Sequence, residues 1–246
     1  MLKLRVHIVP VGFEIDRVIE PLVRLKADKV WLVIEENIEK TDAKYHYNKI
    51  KNRLNELKIE CSERRCDTHS LFLLLNTYRM IIEDEQNHLI FINVSTGNKI
   101  EAIAGTMASM IFNNEKIEVK PYYVVPQNYE IKPRKGQPQL TSGYAGIIQL
   151  PNYKIERPAE SLIAALKVIQ HNNHVSKKIL IEKFLENKLI VIEKSNHSES
   201  AKHSQLNSKY LEPLLQKGLI TIQGKGKPAR ISITEDGENI LKFLPK

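Results

Sequence analysis

The sequence has only two cysteines, Cys61 and Cys66. Two thiols cannot build a disulfide framework or a four-cysteine zinc site, and this pair, in a strand-to-loop segment, reads as free thiols. Long apolar runs are also missing. None approaches the roughly 18 residues that a membrane-crossing helix needs, and the chain opens on a strand-like run, not a signal peptide. These absences point to a cytoplasmic protein without membrane contacts. There is no Gly-x-Gly-x-x-Gly fingerprint and no P-loop, which argues against NAD binding and ATP hydrolysis. Glu35 and Glu36 fall near where a ribose-binding acid would sit, but that spacing alone means little. No Ser-His-Asp set is recognisable, and His171, His174, His197 and His203 are too loosely spaced to read as metal ligands. No cofactor and no metal is expected.

What is present is an ordinary globular balance over 246 residues, 42% hydrophobic and 27% charged, which excludes a disordered or collagen-like chain. The charge is segregated. Residues 1–130 carry 18 basic and 19 acidic side chains, a net of −1, whereas residues 131–246 carry 19 and 10, a net of +9. A basic half is solvated charge or a surface that meets a polyanion.

The first half alternates strand and helix signals. Lys3–Pro10 (KLRVHIVP) is a β-branched run, followed by a helical stretch with Ile15, Ile19, Leu22, Val23 and Leu25 on one face. Lys29–Ile34 is a second buried strand, and Thr41 or Asp42 can cap a helix with the stripe Tyr47, Ile50, Leu54 and Leu57. Leu57–Ser62 reads as a third strand. Asp67 or Thr68 then caps a helix through Leu71, Leu74, Leu75, Tyr78 and Ile82. His88–Val94 is a fourth strand, Asn98–Phe112 a helix, and Ile117–Val125 a fifth strand that Pro121 pushes toward a sheet edge. The pattern implies a Rossmann-like, doubly wound, mainly parallel sheet of strand order 3-2-1-4-5, with ligands in the crevice between strands one and four.

The loops at that crevice are the most unusual stretches of this half. The first, Val11–Arg17, offers Gly12 for close backbone approach, the aromatic face of Phe13, and Arg17 as a planar cation for a base or a phosphate. The second, Asn93–Lys99, brings Ser95, Thr96, Gly97, Asn98 and Lys99 to a helix start, where hydroxyls, N–H groups and a lysine suit an anion. Taken singly, each loop also reads as an ordinary turn with a capping residue. Glu14 and Asp16 are awkward beside a phosphate and are assigned to structure or to a dimer contact.

A strand ending in Gly-Phe-x-x-x-Arg, then Asn-x-Ser-x-Gly-Asn-Lys after strand four, resembles the CRISPR-associated Rossmann fold (CARF) domain. The family loop is closer to Asn-x-[Ser/Thr]-Gly-Gly-Thr-[Lys/Arg], so Thr96 and Asn98 depart from it. The resemblance covers roughly residues 2–125. It implies a homodimer that binds cyclic oligoadenylate across its crevice, with Gly12, Phe13, Arg17, Ser95, Thr96, Gly97, Asn98 and Lys99 as ligand-site candidates.

The second half follows another plan. Residues 131–157 hold three Pro and three Gly and read as a linker, in which Gly146–Leu150 could add a short strand. From Pro158, a helix start, the order is helix, helix, helix, hairpin, helix. The faces run Leu162, Ile163, Leu166 and Ile169; then Ile179, Leu180, Phe184 and Leu185 after a Ser176 cap; then Leu206, Tyr210, Leu211, Leu214 and Leu215, opened by Ser198 or Ser200 and kinked by Pro213. Leu219–Gln223 and Ala229–Thr234 are the hairpin, and a last helix starts near Glu235. This is the order of an α+β winged helix-turn-helix, and the stretch Leu214–Ile220 with Ile233–Gly237 resembles winged-helix transcription regulators. The organisation expected is 1–130 ligand domain, 131–157 linker, 158–246 DNA-binding domain. The third helix would enter the major groove of double-stranded DNA, with Ser200, Lys202, His203, Asn207 and Lys209 as donors, while Lys225, Lys227 and Arg230 on the wing grip phosphates.

The expected function is a ligand-responsive, DNA-binding transcription regulator sensing cyclic oligoadenylate or a related nucleotide. A metal-independent ring nuclease using Ser95, Thr96 and Lys99 on the ligand's own 2′-hydroxyl is the alternative, although no general base is visible. A third possibility is a DNA-binding dimer whose Rossmann domain binds nothing.

Overall fold

The computed structural model describes residues 2–129, 140–151, 153–191, 199–224 and 229–244. The chain divides into two compact units, Met1–Glu156 and Arg157–Lys246. In the first, the elements are β1 (Arg5–Pro10), α1 (Asp16–Arg24), β2 (Lys29–Glu35), α2 (Lys44–Glu56), β3 (Glu60–Cys66), α3 (Leu71–Asp84), β4 (Leu89–Asn93), α4 (Lys99–Phe112), β5 (Glu118–Val125), β6 (Asn128–Tyr129), β7 (Thr141–Ser142) and β8 (Gly146–Gln149). The main sheet runs β3-β2-β1-β4-β5-β8. β1 to β5 pair parallel, with Val6 opposite Lys29 and Arg5 opposite Leu89, and β8 adds antiparallel to β5. The central strands are covered on both faces, so they read as nearly unbroken apolar runs: Val6, Ile8, Val9, Val30, Leu32, Val33 and Ile34 are all fully buried. Each such side chain contributes about 1.5–3 kcal/mol by leaving water.

Several boundaries differ from the sequence expectation for identifiable reasons. The third strand lies at Glu60–Cys66, because Leu57 ends α2 and Lys58 takes a positive φ of 55°. Ser70, not Asp67 or Thr68, sits at the start of α3; the Asp67 carboxylate accepts from the His69 amide instead. β5 is not an edge strand. β8 pairs with its last four residues, Tyr122 to Val125, and at Pro121 only the carbonyl is used, accepting from the Leu150 amide, so the missing N–H is not felt. Val23, Ile179 and Leu215, expected on buried faces, are exposed.

The second unit holds α5 (Glu160–His171), β9 (Val175–Ser176), α6 (Lys177–Glu186), α7 (Glu199–Leu206), a π-helical turn (Asn207–Leu211), α8 (Glu212–Gln216), β10 (Ile220–Gln223), β11 (Arg230–Ile233) and α9 (Glu235–Phe243). Its sheet, β10-β11-β9, includes a two-residue strand that periodicity does not announce. Leu166, Ile169, Leu180, Phe184, Leu206, Leu214 and Ile231 form its fully buried core. Pro213 cannot donate to a carbonyl one turn back, and the chain absorbs that defect in the π turn just before it. A Rossmann-like, mainly parallel sheet followed by a winged helix is the architecture.

Candidate functional site

The two crevice loops touch. A Cβ built on Gly12 would lie 2.9 Å from both the N and the Cα of Gly97, so the backbones are in contact where the chain carries no side chain. Three further ties hold the junction. Thr96, buried, donates its hydroxyl to the Pro10 carbonyl at 2.8 Å. Asn93, fully buried at the end of β4, accepts from the Ser95 amide at 2.9 Å and from the Ser95 hydroxyl. Its own amide donates to the Arg17 carbonyl at 2.9 Å. That last bond has a cause in the sequence: Pro21, inside α1, has no N–H to give the carbonyl four residues back, which is Arg17's, and Asn93 takes the free acceptor. One side chain thus fixes both loops.

Arg17 is the electrostatic anomaly of the site. Its guanidinium is buried, with Nε donating to the Val124 carbonyl at 3.1 Å and the Tyr123 ring 4.9 Å away. Nη2 is shut from water and has no hydrogen-bond partner. Glu14, whose charge interacts with that of Arg17, accepts from the Thr141 hydroxyl; burial pushes its carboxyl toward the neutral form, opposed by the Thr141 hydrogen bond and the Arg17 charge. Asp16 accepts from the Gly143 amide at 2.8 Å. Both acids therefore hold the β6–β7 segment against the first loop.

Asn98 caps α4. Its carbonyl oxygen accepts from the Ile100 and Glu101 amides, and Glu101 Oε2 accepts from the Asn98 amide at 2.6 Å, a complete capping box. The helix start therefore satisfies its own first donors, and those amides are not free for an anion. Asn98 Nδ2 also donates to the Thr68 carbonyl. Lys99 is exposed. Glu101 is buried with Oε1 unpartnered; burial, reinforced by the charge of Glu35 and opposed by the Asn98 amide, pushes its carboxyl up to about 8. Unfolding returns it to its usual 4.5, so its share of stability is complete at low pH and falls as pH rises between those values. Glu101→Gln keeps an acceptor and cannot ionise. Its melting temperature relative to the native chain is expected to climb from about pH 5 to about pH 8. A difference that stays constant over that range overturns the neutral acid.

Among the described residues, Glu35, Asp67 and His69 are the group whose ligand atoms lie close enough to hold a cation, within 4.8 Å of one another. The Glu35 oxygen already accepts from the amide and hydroxyl of Thr68, and Asp67 and His69 are exposed.

In the second unit, Ser200 and Lys209 are exposed, while Lys202, His203 and Asn207 are half-buried. Asn207 Oδ1 accepts from Lys177 Nζ at 2.9 Å. Lys202 and Lys209 flank the buried Leu206. Arg230 is exposed and begins β11; Lys225 and Lys227 lie outside the described residues. Sequence reasoning missed Asn93 and Glu101 as side chains that build the site. The Asn-x-x-Glu spacing from 98 to 101 was the legible sign of the second, and Pro21 inside a helix was the sign that some donor must reach Arg17.

The fold and the joined loops define a Rossmann-like domain with a crevice site, followed by a winged helix domain. Residues 5–129 match the family model HFX_2341_N, described as "-like, N-terminal", and residues 161–245 match the DUF6293 C-terminal winged helix domain. The chain belongs to the HFX_2341_N family. It is 28% identical over 185 residues to the uncharacterized protein MJ1513 of Methanocaldococcus jannaschii, an alignment covering 67% of this chain and 55% of that protein. The chain thus spans about half the length of the curated relative it matches. Among solved structures it is similar to Can2 from Sulfobacillus thermosulfidooxidans in complex with cyclic tetra-adenylate, with a TM-score of 0.41 and 12% identity over 97% of this chain and 63% of that one. It is also similar to Enterococcus italicus Csm6 bound to cyclic hexa-2'-fluoro-hexa-dAMP, with a TM-score of 0.44 and 11% identity over 88% and 56%. No helix among the described residues is long and apolar enough to cross a membrane.

Proposed function

We propose that this protein is a DNA-binding regulator whose first unit senses an anionic nucleotide, cyclic oligoadenylate by the loop resemblance, in the crevice of a homodimer. The observation that carries the reading is the buried Arg17 guanidinium with an unpartnered Nη2, next to two loops locked together by Asn93. A buried donor is ordinarily satisfied and an unpartnered one is costly; Glu14, pushed by burial toward its neutral form, offsets the Arg17 charge only in part, so the site favours an anion. The +9 balance of residues 131–246 and the winged helix match support a DNA duplex as the second ligand. Ser95, Thr96, Gly97, Lys99, Gly12 and Phe13 are the remaining ligand-facing candidates, and Ser200, Lys202, His203, Asn207, Lys209, Lys225, Lys227 and Arg230 the DNA-facing ones.

The test is a titration of labelled duplex DNA with the protein, with and without saturating cyclic tetra-adenylate, while free, bound and cleaved ligand are separated from the same mixtures. Ligand bound intact and a DNA affinity changed by about 5- to 150-fold are expected, because coupling between two sites is reciprocal and typically of that size. Arg17→Met is expected to lose the ligand effect and keep DNA binding. DNA affinity indifferent to bound ligand overturns the gating, and cleaved product makes the first unit a ring nuclease.

A further inference from the structure

The half-exposed Phe13 of the first loop is one of three rings in contact. It meets the His46 imidazole edge-on, centroids 5.4 Å apart and planes at 88°, and the same imidazole meets Tyr45 at 5.4 Å and 86°. Tyr45 and His46 lie in the first turn of α2, next to the first loop. The outer rings face water, Phe13 at 42% exposure and Tyr45 at 44%, while His46 between them is 1% exposed. Burial lowers the pKa of the His46 ring, opposed by a hydrogen bond with the backbone of Asp42, so His46 acts as a neutral aromatic spacer. Two large rings left in water on either side of a sealed imidazole are not what folding alone selects.

We infer that Phe13 and Tyr45, set apart by His46, form a stacking shelf for the nucleobase of the ligand whose anionic part lies beside the two joined loops that hold Arg17. The inference rests on the anion-site reading above and narrows it. Phe13 follows Gly12 directly in the chain, so a group on the shelf and a group at the loop junction are neighbours, as base and phosphate are in one nucleotide. A sugar phosphate or an inorganic anion would use the junction and leave both rings in water; a nucleotide covers them. Every base has a π-face, and a purine presents the larger one, so adenine is the better fit. Lys49 Nζ, 5.8 Å from the Tyr45 ring centre, adds positive charge beside the shelf. Tyr45 thereby becomes a ligand-contacting residue and His46 a positioning residue.

Calorimetric binding of cyclic tetra-adenylate and cyclic tetra-uridylate to the native chain, Tyr45→Phe and Tyr45→Ala tests this. Tyr45→Phe is expected to bind both ligands as the native chain does. Tyr45→Ala is expected to lose about 5- to 100-fold for the adenylate, the range of one lost stacking contact, and less for the uridylate. Adenylate affinity unchanged in Tyr45→Ala overturns the shelf and leaves the anion site standing. Failure of the native chain to bind either ligand overturns both. If Tyr45→Ala instead shifts the sedimentation coefficient of the ligand-free protein at unchanged affinity, the rings cover another copy of the chain and the shelf is overturned.

Discussion

Alanine at Gly97 is expected to remove ligand binding and to lower the melting temperature of the first unit by roughly 5–15 °C. The backbone there has φ +76°, a conformation in which a residue with a Cβ is strained by about 1–2 kcal/mol. The added carbon would also lie 2.7 Å from Pro10 Cβ and 2.5 Å from Glu101 Oε2. Neither neighbour can retreat. Pro10 ends a strand paired to Val33, and the Glu101 carboxyl is buried and bonded to the Asn98 amide. Overpacking of this kind adds about 1–3 kcal/mol. Gly146→Ala is the control, since nothing lies within 4 Å of a Cβ there. Calorimetry of unfolding and of cyclic tetra-adenylate binding reads both effects. A Gly97→Ala chain that melts and binds like the native one would show that the tight junction is unimportant.

The order of the five parallel strands was legible because buried parallel strands must be continuously apolar, and helices between them must carry one apolar face. Polar β3, Glu-Cys-Ser-Glu-Arg-Arg-Cys, breaks that rule as an outer strand and was placed too early, on Leu57 and Ile59. β8 and β9 escaped firm prediction for another reason. Each is four residues or fewer, and its place is set by a partner far away in the chain, Tyr122–Val125 for β8 and Arg230–Ile231 for β9. Loop chemistry is local, so Gly12, Arg17 and the Ser95–Lys99 run could be picked out by residue type. What the side chains do there is not local. Thr96 reaches Pro10, Asn98 spends its side chain on capping, and the bond from Asn93 to Arg17 needs both the fold and the defect at Pro21. Phe13 stood out in the sequence; its neighbours His46 and Tyr45, on the next helix, did not.

The other large effect is expected in the winged helix, at Gly237. A Cβ there would clash with the Leu219 carbonyl oxygen and lie 2.7 Å from Ile233 Cγ1. That carbonyl accepts from the Thr234 amide, while the Thr234 hydroxyl donates to the Gly218 carbonyl and accepts from the Gly237 amide. The first turn of α9 is therefore clamped onto the strand start at Leu219–Ile220, and an alanine must pry it off a backbone oxygen. Gly237→Ala is expected to destabilise the second unit by about 3 kcal/mol, the upper part of the overpacking range. For fewer than 100 residues that is a fall of roughly 10–20 °C. Hydrogen exchange over residues 219–223 and 229–243 should accelerate, and DNA affinity should drop as the folded fraction does. Gly218→Ala separates the two ways a glycine can matter. Its φ is +69° but no atom lies within 4 Å of a Cβ, so only the backbone strain of about 1–2 kcal/mol applies. If Gly218→Ala proves the more damaging of the two, the clamp on Leu219 is not what holds the wing to α9.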